Sequence, residues 1–166
     1  MKLYLDLDME KCSACGACAV ACMDQNDIDP DRELPFRNVF CVDRRDSAGV
    51  ESVCASLSCM HCADAPCVPA CPSACLAKDA ETGFTLYDTQ NCIGCHSCAM
   101  ACPFGVPSFN SQGKMEKCDG CSVRLAHGME PACVRVCPTG ALRVYTEEAY
   151  RAVHGSRSIL RVLQLL

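Results

Sequence analysis

Sixteen of the 19 cysteines in this 166-residue chain fall into four groups of four, and no other feature restricts the fold as much. In order they are Cys12, Cys15, Cys18 and Cys22; Cys59, Cys62, Cys67 and Cys71; Cys92, Cys95, Cys98 and Cys102; and Cys118, Cys121, Cys133 and Cys137. Trp is absent and aromatic residues make up only 5% of the chain, so the apolar half of the composition is largely Ala, Val, Leu and Cys. A core this thin needs staples, either disulfides or metal. Disulfides predict a secretory leader and cysteines spread along the sequence. The N-terminus MKLYLDLDMEKC instead carries Asp6, Asp8 and Glu10 and no apolar h-region. No export signal or lipidation motif is read there, and the expected compartment is the cytoplasm, with export alongside a partner left open.

The spacing favours metal. The first and third groups read C-x2-C-x2-C-x3-C, which with a following proline is the run that bacterial proteins use for cubane 4Fe-4S clusters, the fourth cysteine serving a different cluster. Three thiolates two residues apart let a short loop curl round the cube with backbone N–H groups facing its sulfides. Ser13, Ala14, Gly16, Ala17 and Gly94 keep side chains clear where the backbone must approach. The fourth cysteine is expected to begin a short helix that faces away from its own loop, and Pro72, Pro103 and Pro138 to stop the chain from continuing as it was. Met23 follows Cys22 where the other groups have proline, so the exit from the first loop is the exception. Zinc is the competing reading, but its four-cysteine sites want two separated pairs, and three consecutive thiols leave a surplus ligand in each knuckle.

Residues 59–107, with CPSACLAKDAETGFTLYDTQNCIGCHSCAMACPFGVP at their centre, resemble a two-cluster bacterial ferredoxin: cluster loop, Cys-Pro, polar turn, the strand GFTLYD with Phe84 and Leu86 on one face, and a second loop. The outer segments resemble a second ferredoxin cut open around the first, its strands being KLYLDLD, with Leu3, Leu5 and Leu7 alternating, and ALRVY. This nesting, together with CMHCADAPC, CIGC, CPFGVP, KMEKCDGC and PACVRVCPTGAL, is similar to the four-cluster iron-sulfur subunits of the dimethyl sulfoxide reductase family of molybdenum or tungsten enzymes.

The resemblance implies an α+β fold of two interleaved ferredoxin-like units with small antiparallel sheets, an inserted β-hairpin and a short C-terminal helical tail. The outer unit comprises 1–22 plus 110–146, the connecting loop and hairpin 23–49, the inner unit 50–109 and the tail 147–166. It also implies four 4Fe-4S clusters held by Cys12, Cys15, Cys18 with Cys137; by Cys118, Cys121, Cys133 with Cys22; by Cys59, Cys62, Cys67 with Cys102; and by Cys92, Cys95, Cys98 with Cys71.

Its implied role is that of a non-catalytic electron-transfer subunit. It relays between a molybdenum- or tungsten-pterin catalytic subunit, of formate dehydrogenase or a related anaerobic reductase, and another redox partner. That second partner is a hydrogenase, a further ferredoxin-like subunit or a membrane anchor. Two alternatives stand beside it: a filament-forming conductive subunit linking hydrogenase and formate dehydrogenase, and a free polyferredoxin. The sequence offers no Ser/His/Asp or Cys/His nucleophile set and no Gly-rich phosphate loop after a strand. The formal charge of −5 argues against nucleic acid, and no run approaches the ~18 apolar residues of a membrane span.

Several residues lie outside this scheme. Cys41, Cys54 and Cys75 read as small buried hydrophobes, although Cys41 and Cys54 fall on two probable strands, FRNVFCVD and VESVCASLS, where they can be cross-strand neighbours. His61 and His96 sit inside cluster loops; His96 is expected at the surface, and His61 either beside a cluster or in a structural hydrogen bond. Lys114 and Lys117 flank the fourth loop, where a cation favours the reduced, more negative cluster, although solvated lysines are the commoner outcome and the expected one. The tail SRSILRVLQLL, after a helix EEAYRAVH, is apolar enough either to pack back or to dock a partner.

Overall fold

The computed structural model describes residues 1–47 and 49–155; the apolar segment 156–166 lies outside them. Alternation in KLYLDLD produces β1 (Leu3–Leu7). The first cysteine loop follows and runs into α1 (Ala17–Gln25), which starts at the left-handed Gly16. β2 (Asn38–Asp46) and β3 (Gly49–Leu57) form the expected hairpin. After the second loop come the short strands β4 (Leu76–Lys78) and β5 (Thr85–Tyr87). The third loop leads into α2 (Ser97–Ala101), then β6 (Ser108–Phe109) and β7 (Met115–Glu116). The fourth carries α3 (Ser122–Ala126) and α4 (Ala132–Arg135), and the chain continues through β8 (Leu142–Thr146) to α5 (Glu147–His154).

The strands make four two-stranded antiparallel sheets among the described residues. Three join sequence neighbours; the fourth pairs β1 with β8, Leu5 opposite Val144, and so brings the two ends of the described chain together. α5 closes over that ribbon. Its Thr146 hydroxyl accepts the Ala149 N–H at 3.2 Å as an N-cap, Tyr150 stacks on Tyr4 at 4.8 Å, and His154 Nε2 lies 3.2 Å from Asp6 Oδ2.

Among the described residues two apolar clusters form the core, and thiols dominate both. One gathers Cys18, Cys133 and Leu142 with Leu7 and Val39 at its margin. The other gathers Cys67, Cys75, Cys92 and Cys98 with Ala65, Leu76 and Met115. Cys75 is 3% exposed, in line with its reading as a small buried hydrophobe. Cys41 and Cys54 depart from that reading. They face each other across β2 and β3 as a disulfide, Cys41 is exposed and Cys54 half-buried, because a two-stranded hairpin has no interior in which to hide them.

Helix placement also differs from expectation. The fourth cysteine of a group does not begin a helix: Cys22 lies inside α1, and Cys102 caps the end of α2. The left-handed residues Gly16 and His96 start these helices before the third cysteine, so third and fourth lie four residues, about one turn, apart. Pro103 ends α2 at once, whereas Met23 lets α1 run on to Gln25.

Candidate iron-sulfur sites

The cysteines converge in sets that mix the sequence groups. Cys12, Cys15 and Cys18 share a cavity with Cys137, walled by Leu7, Val39 and Leu142 (the first-loop site). Cys118, Cys121 and Cys133 share one with Cys22, beside Leu5, Phe36 and Arg37 (the fourth-loop site). Cys92, Cys95 and Cys98 share a third with Cys71, and Cys75 and Met115 wall it (the third-loop site). For the fourth expected set (the second-loop site), burial raises the Cys67 thiol, and Cys102 and Cys62 are near enough to push it the same way, while Cys67 and Cys62 do the same to Cys59.

Local backbone geometry serves the sulfurs. The N–H of Gly94 donates to Cys92 Sγ at 3.4 Å, and Gly120 repeats this two-residue reach to Cys118 Sγ at 3.4 Å. Met115 N–H reaches Cys92 Sγ at 3.2 Å, and Cys75 N–H reaches Cys71 Sγ at 3.3 Å. Gly94 and Gly120 both have left-handed φ, +69° and +75°. A Cβ on Gly94 would stand 2.7 Å from the Gly113 carbonyl oxygen, and one on Gly120 would stand 2.2 Å from the Phe84 ring, so neither position accepts a side chain as packed.

The donor sets fit a cluster. Each brings four thiols together, the ligand chemistry of iron-sulfur cubanes, with Asp119 also lining the fourth-loop cavity and His96 the third-loop one. Burial, reinforced by Cys118 and Cys133, pushes Cys22 up to about 12, and burial pushes Cys121 up to about 11. A cation bound among these thiols favours their thiolate forms, which is what iron supplies when present.

A seam of buried polar residues joins the sites. Arg37, 3% exposed, donates to the Ser56 carbonyl and hydroxyl at 2.9 and 3.2 Å and to the Ser58 hydroxyl at 2.7 Å. The Ser56 hydroxyl lies 3.1 Å from Cys18 Sγ. His61 is buried and stacks on Phe84 at 4.3 Å. Its Nδ1 accepts the Thr85 N–H at 3.1 Å, which leaves the proton on Nε2, 3.7 Å from Cys118 Sγ. Burial, aided by Lys117, Lys78 and Arg37, pushes His61 down to about 3, so the imidazole is neutral. His96 is exposed, as expected, and stacks on Phe109 at 3.7 Å.

Lys117 contradicts its solvated expectation: it is 1% exposed, because its stem runs inward and its ammonium reaches the carbonyls of Thr85 and Cys118. Lys114 is half-buried, with its ammonium on the Cys92 carbonyl. The roles of Arg37, Ser56 and Thr85 were not legible from the sequence. Only the lone cation among apolar residues in LPFRNVF hints at Arg37.

Loops of this spacing, short antiparallel ribbons and convergent thiol sets define a ferredoxin-like iron-sulfur protein of the electron-transfer class. Comparison with known proteins agrees. Residues 50–147 match the 4Fe-4S dicluster domain family. The chain is 41% identical over 159 residues to the probable anaerobic dimethyl sulfoxide reductase chain YnfG of Escherichia coli K12, covering 90% of this chain and 76% of the relative. It is 40% identical over 138 residues to the thiosulfate reductase electron transfer subunit PhsB of Salmonella typhi, covering 82% and 71%. It is 34% identical over 157 residues to the nitrate-inducible formate dehydrogenase iron-sulfur subunit of E. coli K12, covering 86% of this chain and 53% of that relative. The chain therefore belongs to the iron-sulfur electron-transfer subunits of the dimethyl sulfoxide reductase family. No helix among the described residues is long and apolar enough to cross a membrane.

Proposed function

We propose that the chain holds four 4Fe-4S clusters on the sixteen cysteines of the four sites, in two interleaved ferredoxin-like units. The outer unit is 1–22 plus 110–146, the inner one 50–109, 23–49 joins them, and 147–166 is the tail, of which 147–155 are described. The observation that carries this reading is the meeting of Cys137 with Cys12, Cys15 and Cys18 around one cavity, from opposite ends of the sequence. The β1–β8 pairing supports it independently.

The chain performs no substrate chemistry in this reading; its residues hold, screen and polarise carriers of single electrons. A relay order is supported by contacts between sites. Cys18 of the first-loop site shares an apolar cluster with Cys133 of the fourth-loop site. Cys59 acts on Cys118, linking the fourth-loop to the second-loop site. Cys67 shares a cluster with Cys92 and Cys98, linking the second-loop to the third-loop site. Cys15 and Cys95, at the two ends of this order, are exposed, and Ile93 and Met100 beside Cys95 are 67% and 79% exposed. One end faces a molybdenum- or tungsten-pterin catalytic subunit and the other a second carrier: a ferredoxin-like subunit, a hydrogenase or a membrane anchor.

Anaerobically purified protein then contains about 16 iron and 16 sulfide per chain. Because the thiol-rich core is incomplete without its metal, chelation collapses the circular dichroism of the folded chain rather than leaving a stable shell. About four zinc per chain without visible absorption would overturn the reading.

A further inference from the structure

Lys117 is one of the most deeply buried side chains in the protein, at 1% exposure. Its ammonium donates to the carbonyl oxygens of Thr85 and Cys118, the latter at 2.9 Å, and sits 5.6 Å above the Tyr87 ring. No carboxylate is paired with it among the described residues. A buried cation with no anion is strongly unfavourable, so its counter-charge has to come from elsewhere. It stands where the second and fourth loops meet: Cys118, whose carbonyl it binds, belongs to the fourth-loop site, and Thr85, its other partner, holds His61, which lies between Cys59 and Cys62 in the second loop and reaches Cys118 Sγ at 3.7 Å. In the same sense, its charge favours the ionised forms of Cys59, Cys67 and Cys118. Thr85 binds Lys117 through its carbonyl, His61 through its N–H and Lys78 through its hydroxyl, so one residue of β5 fixes three polar groups between these sites.

We propose that Lys117 is a positioning residue of the relay, a buried cation shared by the second-loop and fourth-loop clusters that raises the reduction potentials of both. The inference rests on the ligand sets proposed above. Reduction adds one electron to a cluster and makes its charge more negative by one, with no bond made or broken; the electron comes from a neighbouring cluster or from an added reductant such as dithionite. A fixed ammonium between two clusters stabilises the reduced state of each, and because the interior screens poorly, its effect reaches both. A merely structural role, tying β5 to the fourth loop through two carbonyls, needs only a hydrogen-bond donor and leaves the potentials where they are.

The test is an EPR-monitored redox titration of the anaerobic holoprotein and of three variants. Lys117→Gln keeps a donor without charge, Lys117→Met keeps the length without either, and Lys117→Arg keeps the charge. The neutral variants are expected to weaken the reduction equilibrium of two of the four centres by about tenfold each, 59 mV for a one-electron couple, and to leave the other two in place. Lys117→Arg is expected to titrate like the unmodified protein. Unmoved potentials in Lys117→Gln, an equal shift of all four centres, or a shift in Lys117→Arg as large as in Lys117→Gln overturns the proposal. If the neutral variants lose clusters, iron content decides: loss from both but not from Lys117→Arg supports a charge role, and loss from all three overturns it. Failure of the ligand sets themselves is seen separately, as fewer than about 16 iron in the unmodified protein.

Discussion

His61 Nε2 lies 3.7 Å from Cys118 Sγ across 57 residues of sequence, and the Thr85 N–H on Nδ1 fixes the tautomer that aims a proton at that sulfur. The second loop thus reaches into the fourth-loop site with a neutral donor. Hydrogen bonds to cluster sulfurs stabilise the reduced state, because the acceptor then carries more charge. His61→Phe keeps the stacking on Phe84 and removes the donor. The fourth-loop centre should then titrate lower by tens of millivolts, on the order of 1 kcal/mol, with iron content retained. The orphaned Thr85 N–H should cost a further 1–3 kcal/mol of stability, roughly. An unchanged potential would mean that the contact is only packing.

Cys137 belongs by sequence to the fourth group and by position to the first-loop site. Cys137→Ser should therefore perturb the EPR signature of the first-loop cluster and spare that of Cys118, Cys121 and Cys133. Damage confined to the fourth-loop centre would refute the exchange of ligands while leaving the iron-sulfur assignment intact.

Gly120 is packed against Phe84, and an added Cβ would meet the ring at 2.2 Å in a backbone with φ +75°. Gly120→Ala should destabilise the holoprotein by about 2–4 kcal/mol, combining overpacking with left-handed strain. Thermal loss of visible absorption checks this. Because His61 stacks on the same ring, the damage should spread to the contact with Cys118, so the variant should also shift the fourth-loop potential. A wild-type melting profile would show that Phe84 gives way freely.

The Cys41–Cys54 disulfide closes a 13-residue separation in the β2–β3 hairpin. Peptide mapping without reductant should recover both segments as one linked species, which dithiothreitol separates. Constraints of this loop size are worth up to about 3 kcal/mol, so amides of β2 and β3 should exchange faster in Cys41→Ser. Iron content should not change, since neither cysteine lines any of the sites. Loss of iron in that variant would tie the hairpin to cluster retention.

What the sequence disclosed and what it withheld divide along physical lines. Ligand spacing is local, so the four cysteine groups were legible, as were β1, β8, the hairpin and α5, whose alternation and capping lie in short windows. Helix starts were misread because the decisive residues, Gly16 and His96, act through left-handed backbone rather than through side-chain pattern. Lys117 was misjudged for a different reason. Lysine is normally solvated, and only tertiary packing against Thr85 and Tyr87 reveals that this one is enclosed. Arg37, Ser56 and Thr85 left almost no trace, since a buried polar network is assembled from positions remote in sequence.

The pairing of β1 with β8 sets a timetable for biosynthesis. At ~5–20 residues per second, the stretch from Cys12 to Cys137 takes roughly 6–25 s to leave the ribosome. Throughout that interval β1 has no partner strand, and the first-loop thiols wait for their fourth companion. The stretch from Cys59 to Cys102 takes only roughly 2–9 s. On the proposed ligand sets, the inner unit is therefore the first to have all its thiols, and those of the first loop stay short of their fourth companion until Cys137 emerges.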